Sequence, residues 1–243
     1  MNSNRKTAIT TGILFIVATV AGLIGSAVRG PLLDGPDYLS QVAAGGNRMI
    51  AGVLLSFLGY AASGGIAIAL YPVLKRYSPS AALGAVGFRL VEAVFYILGA
   101  LCLLSLLPLS KQLVNAADPG AAYFTTLGHL LRTASDLAGF VLAVLAFCIG
   151  GGLYYYVFFR TNLVPRWLSA WGLFALAMLF AAVLITLFDG EPYSVSGSLI
   201  ILTAPIALQE MVLVVWLIAK GFNASAVASL PAETAAKRIL SVA

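Results

Sequence analysis

Apolar residues in this chain gather into six blocks that are hydrophobic on every side, as from Ala138 to Phe147, and polar residues are pushed into the short breaks between them. A membrane strand would alternate apolar and polar positions over about ten residues, and that alternation is missing. A run of about 20 mostly apolar residues suits a helix crossing a bilayer. There each backbone N–H and C=O must find its partner within the element itself. The pattern predicts spans at about 8–28, 49–74, 81–107, 133–159, 167–188 and 196–219. The expected fold class is therefore all-α: a polytopic integral membrane bundle of six transmembrane helices. One domain is expected over residues 1–222, with a short cytoplasmic tail over 223–243.

The breaks carry turn chemistry. Gly30-Pro31, Gly35-Pro36 and Gly45-Gly46 frame the first, Asp118-Pro119-Gly120 marks the third, and Asp189-Gly190-Glu191-Pro192 the fifth. The second and fourth are so short that the second and third spans, and the fourth and fifth, must be antiparallel neighbours. Arg5-Lys6 ahead of an apolar run ending near Gly25-Ser26-Ala27 also has the outline of a signal peptide. That run exceeds the usual apolar core of about 7–15 residues, and cleavage would leave an odd number of spans, so it is read as the first helix.

Composition closes off the soluble alternatives. Of 243 residues only 9% are charged, against roughly 25% in an average soluble domain. The formal charge of +5 does not point to nucleic acid, because the basic residues form clusters between apolar runs rather than one stripe. Their placement reads as orientation. Arg5, Lys6, Lys75, Arg76, Arg160, Arg166, Lys220, Lys237 and Arg238 fall on one side, and only Arg29, Arg48 and Lys111 on the other. Nine against three puts both termini in the cytoplasm.

Other features have ordinary readings. Cys102 and Cys148 sit in apolar runs as small buried hydrophobes, with no disulfide or metal site implied. Tyr154, Tyr155, Tyr156 and Trp167 read as an interfacial belt. Small residues four apart (Ala18, Gly22 and Ser26; Gly52 and Ser56; Gly59 and Ser63) allow helices to approach closely. Packing within the chain is the first reading of that stripe and a homo-oligomer the second.

Ionisable groups inside spans cost about 2.5–3.5 kcal/mol each, so they face a protein interior or a cavity. The third span carries Arg89, Glu92 and Tyr96 at helical offsets that share one face. The sixth carries Gln209 and Glu210 one turn after Pro205, which leaves the carbonyl of Ile201 without its helical donor. These five residues are the candidate intramembrane polar site. His129, Arg132 and Asp136 share a second stripe at the outer boundary, on a segment too long for the bilayer that must project or bend near Ser135-Asp136.

Two readings of these charges stand side by side. They form a structural network, Arg89 with Glu92 or Glu210 and Arg132 with Asp136; or they line a site for a substrate, a proton or a lipid headgroup. Snorkelling is a third account for His129 and Arg132. Two arginines face three carboxylates, and a sealed site would balance the surplus with a proton on a carboxyl group or on His129. No catalytic residue, cofactor or metal is assigned: one histidine supplies neither a haem pair nor a His-rich zinc site, and HExxH, P-loop and GxSxG motifs are absent. Serine chemistry through His129 has no local motif behind it.

Three segments resemble a known family: Phe88-Arg89-Leu90-Val91-Glu92-Ala93, the run from Phe159 to Leu168 (FRTNLVPRWL), and Pro205 to Glu210 followed by Leu217-Ile218-Ala219-Lys220-Gly221-Phe222. In this order they are similar to the bacterial membrane proteins grouped as domain of unknown function 4386. The resemblance covers about Arg5 to Phe222 and implies a multi-pass membrane protein of about six helices, with no activity to carry over. The function expected is an inner-membrane protein whose polar site takes a small molecule or lipid, with coupling to protons. The alternatives are an accessory or scaffold subunit bound to a partner membrane protein, and a lipid-modifying enzyme using Glu92, Asp136 or Glu210 as acid or base.

Overall fold

The computed structural model describes residues 3–115, 121–189 and 199–229, and every regular element among them is helical. The helices are α1 (Ser3–Arg29), α2 (Tyr38–Ala44), α3 (Gly46–Leu74), α4 (Pro79–Asn115), α5 (Ala121–Asp136), α6 (Ala143–Thr161), α7 (Arg166–Asp189), α8 (Ile200–Ala219) and α9 (Ala224–Ser229). A π-helical segment, Leu137–Leu142, joins α5 to α6 without a break. Asp118-Pro119-Gly120, Gly190-Glu191-Pro192, the expected start of the sixth span at 196, Lys237 and Arg238 lie outside the described residues.

Six helical stretches are long and apolar enough to cross a membrane: Ser3–Leu32, Gly46–Leu74, Pro79–Val114, Ala122–Thr161, Arg166–Phe188 and Ile200–Ala219. Leu54, Leu83, Leu101, Phe174 and Val215 on their outer faces are exposed, an apolar surface that suits lipid and not water. The chain is a multi-pass membrane protein. α1 packs on α3, α3 on α4, α4 on α6, α6 on α7, α7 on α8, and α8 back on α1. The six spans thus close a ring, with α3–α4 and α6–α7 as the neighbours that the short breaks require.

Local chemistry explains the turns. Pro79 opens α4 and the Ser78 hydroxyl accepts from the Ala81 N–H, an N-cap with proline at the first position. Asn162 ends α6 in the left-handed conformation, which Asn tolerates better than most residues. Leu163 and Val164 then turn fully inward, and the Asn223 N–H donates to the Leu163 carbonyl.

Two cores hold the ring. The larger runs through α1, α3, α6, α7, α8 and α9 toward the end carrying Arg5, Arg76 and Lys220. At that end Arg5 donates to the last carbonyls of α8 and Arg76 to Val227 of α9, interactions that suit cations at helix C-termini. The smaller core lies at the opposite end, where Leu32, Tyr38, Leu39 and Val42 pack on Leu103, Leu106 and Leu109 of α4. Glycine and proline spacing marked Gly30–Gly46 only as a break. Its buried Leu32, Tyr38, Leu39 and Val42 make it instead a helical cap on the bundle.

The tyrosine run also divides against expectation. Tyr156 and Trp167 are exposed as belt residues, whereas Tyr154 and Tyr155 are fully buried. Neighbours on a helix point about 100° apart, so one run serves both lipid and core.

Candidate functional site

At the centre of the ring lies a cavity of about 430 Å3 with a wall drawn from all six spanning segments. α4 supplies its charge. Arg89 and Glu92, one turn apart, are both 3% exposed, with Arg89 Nη1 2.7 Å from Glu92 Oε2. Ser63 of α3 completes the group. Its hydroxyl donates to Glu92 Oε1 at 2.9 Å and accepts from Arg89 Nη2 at 2.6 Å, and its carbonyl accepts from the same nitrogen at 3.2 Å. The guanidinium lies over the Phe147 ring, 4.7 Å from its centroid. Both charges are thereby desolvated and paired. The pair is close but angularly poor, and Arg89 Nε and Glu92 Oε2 are buried without a hydrogen-bond partner.

Glu210 of α8 faces the same cavity and is half-buried. It is near enough to Arg89 to interact electrostatically, yet among the described residues it makes no hydrogen bond or ion pair. Tyr96 lines the cavity too, stacked on Tyr60 of α3 with ring centroids 4.7 Å apart and planes 7° from parallel. Arg29, at the far end, is hydrogen-bonded to Ser56 and Ser26.

Gln209 does not join this group. Its carbonyl accepts from the Tyr155 hydroxyl at 2.6 Å and its amide donates to the Leu168 carbonyl at 3.0 Å, a buried clamp of α8 onto α6 and α7. Ile201, whose carbonyl Pro205 frees, is 72% exposed and lies away from the cavity wall.

The outer group gathers around α2. Arg132 donates to the Leu33 carbonyl at 2.6 Å and sits over the Tyr38 ring, while His129 is exposed beside that ring. No hydrogen bond joins Arg132 to Asp136 among the described residues. Burial pushes the Tyr38 phenol above the usual tyrosine range, against the opposing pull of Arg132. Asp136, Ser135 and Arg132 line a second cavity of about 300 Å3, which shares Arg29, Tyr60, Tyr96 and Val144 with the central one. The stacked tyrosines therefore form the partition between an outer and a central chamber. The π segment contributes Gly139 and Phe140 to this wall. Such bulges are frequent at functional sites.

Spacing had singled out Arg89, Glu92, Tyr96 and Glu210, and the structure brings those four to one cavity. Tyr60, Ser63 and Phe147 were missed as site residues. Ser63 had been noted only as a small residue in a packing stripe, and an aromatic in an apolar run carries no signal of its own. Among the described residues no group of three or more His, Cys, Asp or Glu side chains could hold a metal ion.

The sequence pattern that defines the family described as Domain of unknown function (DUF4386) matches residues 10–221. The chain belongs to the DUF4386 family. Its matched region takes in the ring, the central cavity and the FRTNLVPRWL turn. No curated protein and no solved structure matches the chain. In this DUF4386 protein the run from Phe159 to Leu168 builds a helix cap and a buried turn, so the most specific stretch of the resemblance explains architecture and not chemistry.

Proposed function

We propose that this DUF4386 protein is an inner-membrane protein of bacteria, both ends in the cytoplasm, whose central cavity binds a small amphipathic molecule or lipid. Glu210 carries the reading. A carboxyl group facing a cavity inside a membrane protein, with no hydrogen bond or ion pair among the described residues, is expensive unless something that enters balances it. Phe15, Ile66, Val144, Phe147 and Leu179 supply an apolar wall beside a few polar groups, the usual composition of a small-molecule site. A proton on Glu210 would serve the same balance and would couple binding to pH.

Gly22 offers the test. It lines the cavity, and a Cβ added there meets nothing within 4 Å, so a side chain at this position starts in open space and Gly22→Phe is expected to fill the chamber. Organic extracts of purified wild type are expected to contain an amphipathic molecule by mass spectrometry that the variant lacks. Identical extracts from a folded variant would remove the proposal.

One observation favours a second reading, an accessory subunit stapled by its charges. Arg89, Glu92 and Ser63 form a closed group binding α3 to α4, and such a group needs no ligand. The two readings meet different residues: the staple accounts for Glu92, while Glu210 is left over.

A further inference from the structure

Fixed charges around Glu210 do not balance. α3 faces it with Tyr60 and Ser63, α4 with Arg89, Glu92 and Tyr96, and α6 with Tyr154, while α1 and α7 present Phe15 and Leu179. One arginine thus meets two carboxylates. Arg29, the remaining charge on the wall, is tied to Ser56, seven residues from Ser63, or about 10 Å along α3. Arg89 is itself committed to Glu92, Ser63 and the Phe147 ring. Glu92 is the carboxylate that Arg89 pairs with, at 2.7 Å, so among the described residues the carboxylate left without an ion pair on this wall is Glu210.

Arg89 and Glu92 are the charges that act on Glu210, so the Glu210 end of the chamber carries one negative charge in excess. A low-dielectric setting there favours a positive guest over a neutral or anionic one. Its aromatic lining agrees, since the faces of Phe, Tyr and Trp rings attract cations. Phe15 and the Tyr60–Tyr96 pair line the chamber with such rings, and Phe147 already holds the Arg89 guanidinium in this way. We propose that the ligand is an organic cation, a protonated amine or quaternary ammonium, with its charge set against Glu210 and its apolar body on Phe15, Phe147 and Leu179. This rests on the reading of the central cavity as a ligand site and names the ligand's class.

Benzyltrimethylammonium and neopentylbenzene, its uncharged carbon isostere, separate charge from shape. Each is titrated by calorimetry into the protein in lipid nanodiscs, with empty nanodiscs subtracted. Wild type is expected to bind the cation at least about tenfold more tightly than the isostere, the scale of one charge-assisted contact. Glu210→Gln should erase that preference and keep the isostere's affinity, which also shows that the variant is folded. Equal binding of both probes by wild type, or a preference that survives Glu210→Gln, overturns the cation and leaves the cavity as a ligand site. Binding of neither probe by wild type overturns both.

Discussion

Ser63 is one hydroxyl serving two opposite charges, and that economy makes the Arg89–Glu92 pair depend on α3. Taking either charge away strands the other in a buried site, a loss of about 3–5 kcal/mol in comparable buried pairs. Glu92→Gln should therefore lower the unfolding free energy by roughly 3 kcal/mol, and Arg89→Gln added to it should restore most of that loss. Denaturant unfolding in detergent measures the cycle. Strictly additive single effects would mean that the pair is not a unit. Arg89 and Glu92 were legible in the sequence because a charge inside an apolar block stands out by composition alone. Ser63 and Tyr60 were not, because neither residue type is costly enough in a span to demand explanation. Gln209 was misassigned for a geometric reason: adjacent residues on a helix diverge by about 100°, so Gln209 clamps Leu168 and Tyr155 while Glu210 turns to the cavity.

Between elements, the seam of α1 on α3 is a close backbone approach. Gly25 faces the Gly52 carbonyl and Ser56, Gly52 faces the Gly25 carbonyl, and Gly59 faces the Ala18 carbonyl. Spacing had marked Ala18, Gly22 and Ser26 as a small-residue stripe; Ala18 and Gly22 do back onto Gly59, whereas Ser26 is exposed and Gly25 occupies the tight crossing. A Cβ on Gly25 would lie 2.6 Å from the Gly52 carbonyl oxygen, while one on Gly22 meets nothing. Gly25→Ala should thus cost about 1–3 kcal/mol through overpacking, and Gly22→Ala should stay within about 0.5 kcal/mol of wild type. Thermal unfolding of the two purified variants decides it, and equal stabilities would contradict the seam. Elsewhere the blocks revealed the helices but not their detail. The excess length of the fourth span required either a projecting start or a bend near Ser135-Asp136. The π segment that begins at Leu137 leaves no mark in a sequence apolar on all sides. α2 stayed hidden for a different reason, since a seven-residue helix framed by glycine and proline reads as a turn until Tyr38 and Val42 are seen to pack on α4.

For the whole molecule, the ring sorts its basic residues without reference to any membrane. Arg5, Arg76 and Lys220 come together around one cavity with Phe222 and Val227. Arg29 and Arg48 lie at the other end, near α2, where Arg48 donates to the Val28 carbonyl. Such a division carries an orientation through the preference of Lys and Arg for the cytoplasmic side, and the described ends of α3 and α4 make it testable. Lys75 follows α3 at the basic end, whereas Lys111 lies near the far end of α4, which at 1.5 Å per residue extends for about 55 Å. That is well beyond a hydrocarbon core of about 30 Å. With both native cysteines replaced, Lys111→Cys in intact cells should react with a membrane-impermeant maleimide, and Lys75→Cys should react only in inverted vesicles. The opposite pattern would place both termini outside and turn the Arg132–Asp136 chamber toward the cytoplasm. Labelling of both sites from one side would break the ring's topology, because α4 would then fail to carry the chain across the bilayer and Glu210 would have no hydrocarbon barrier around it.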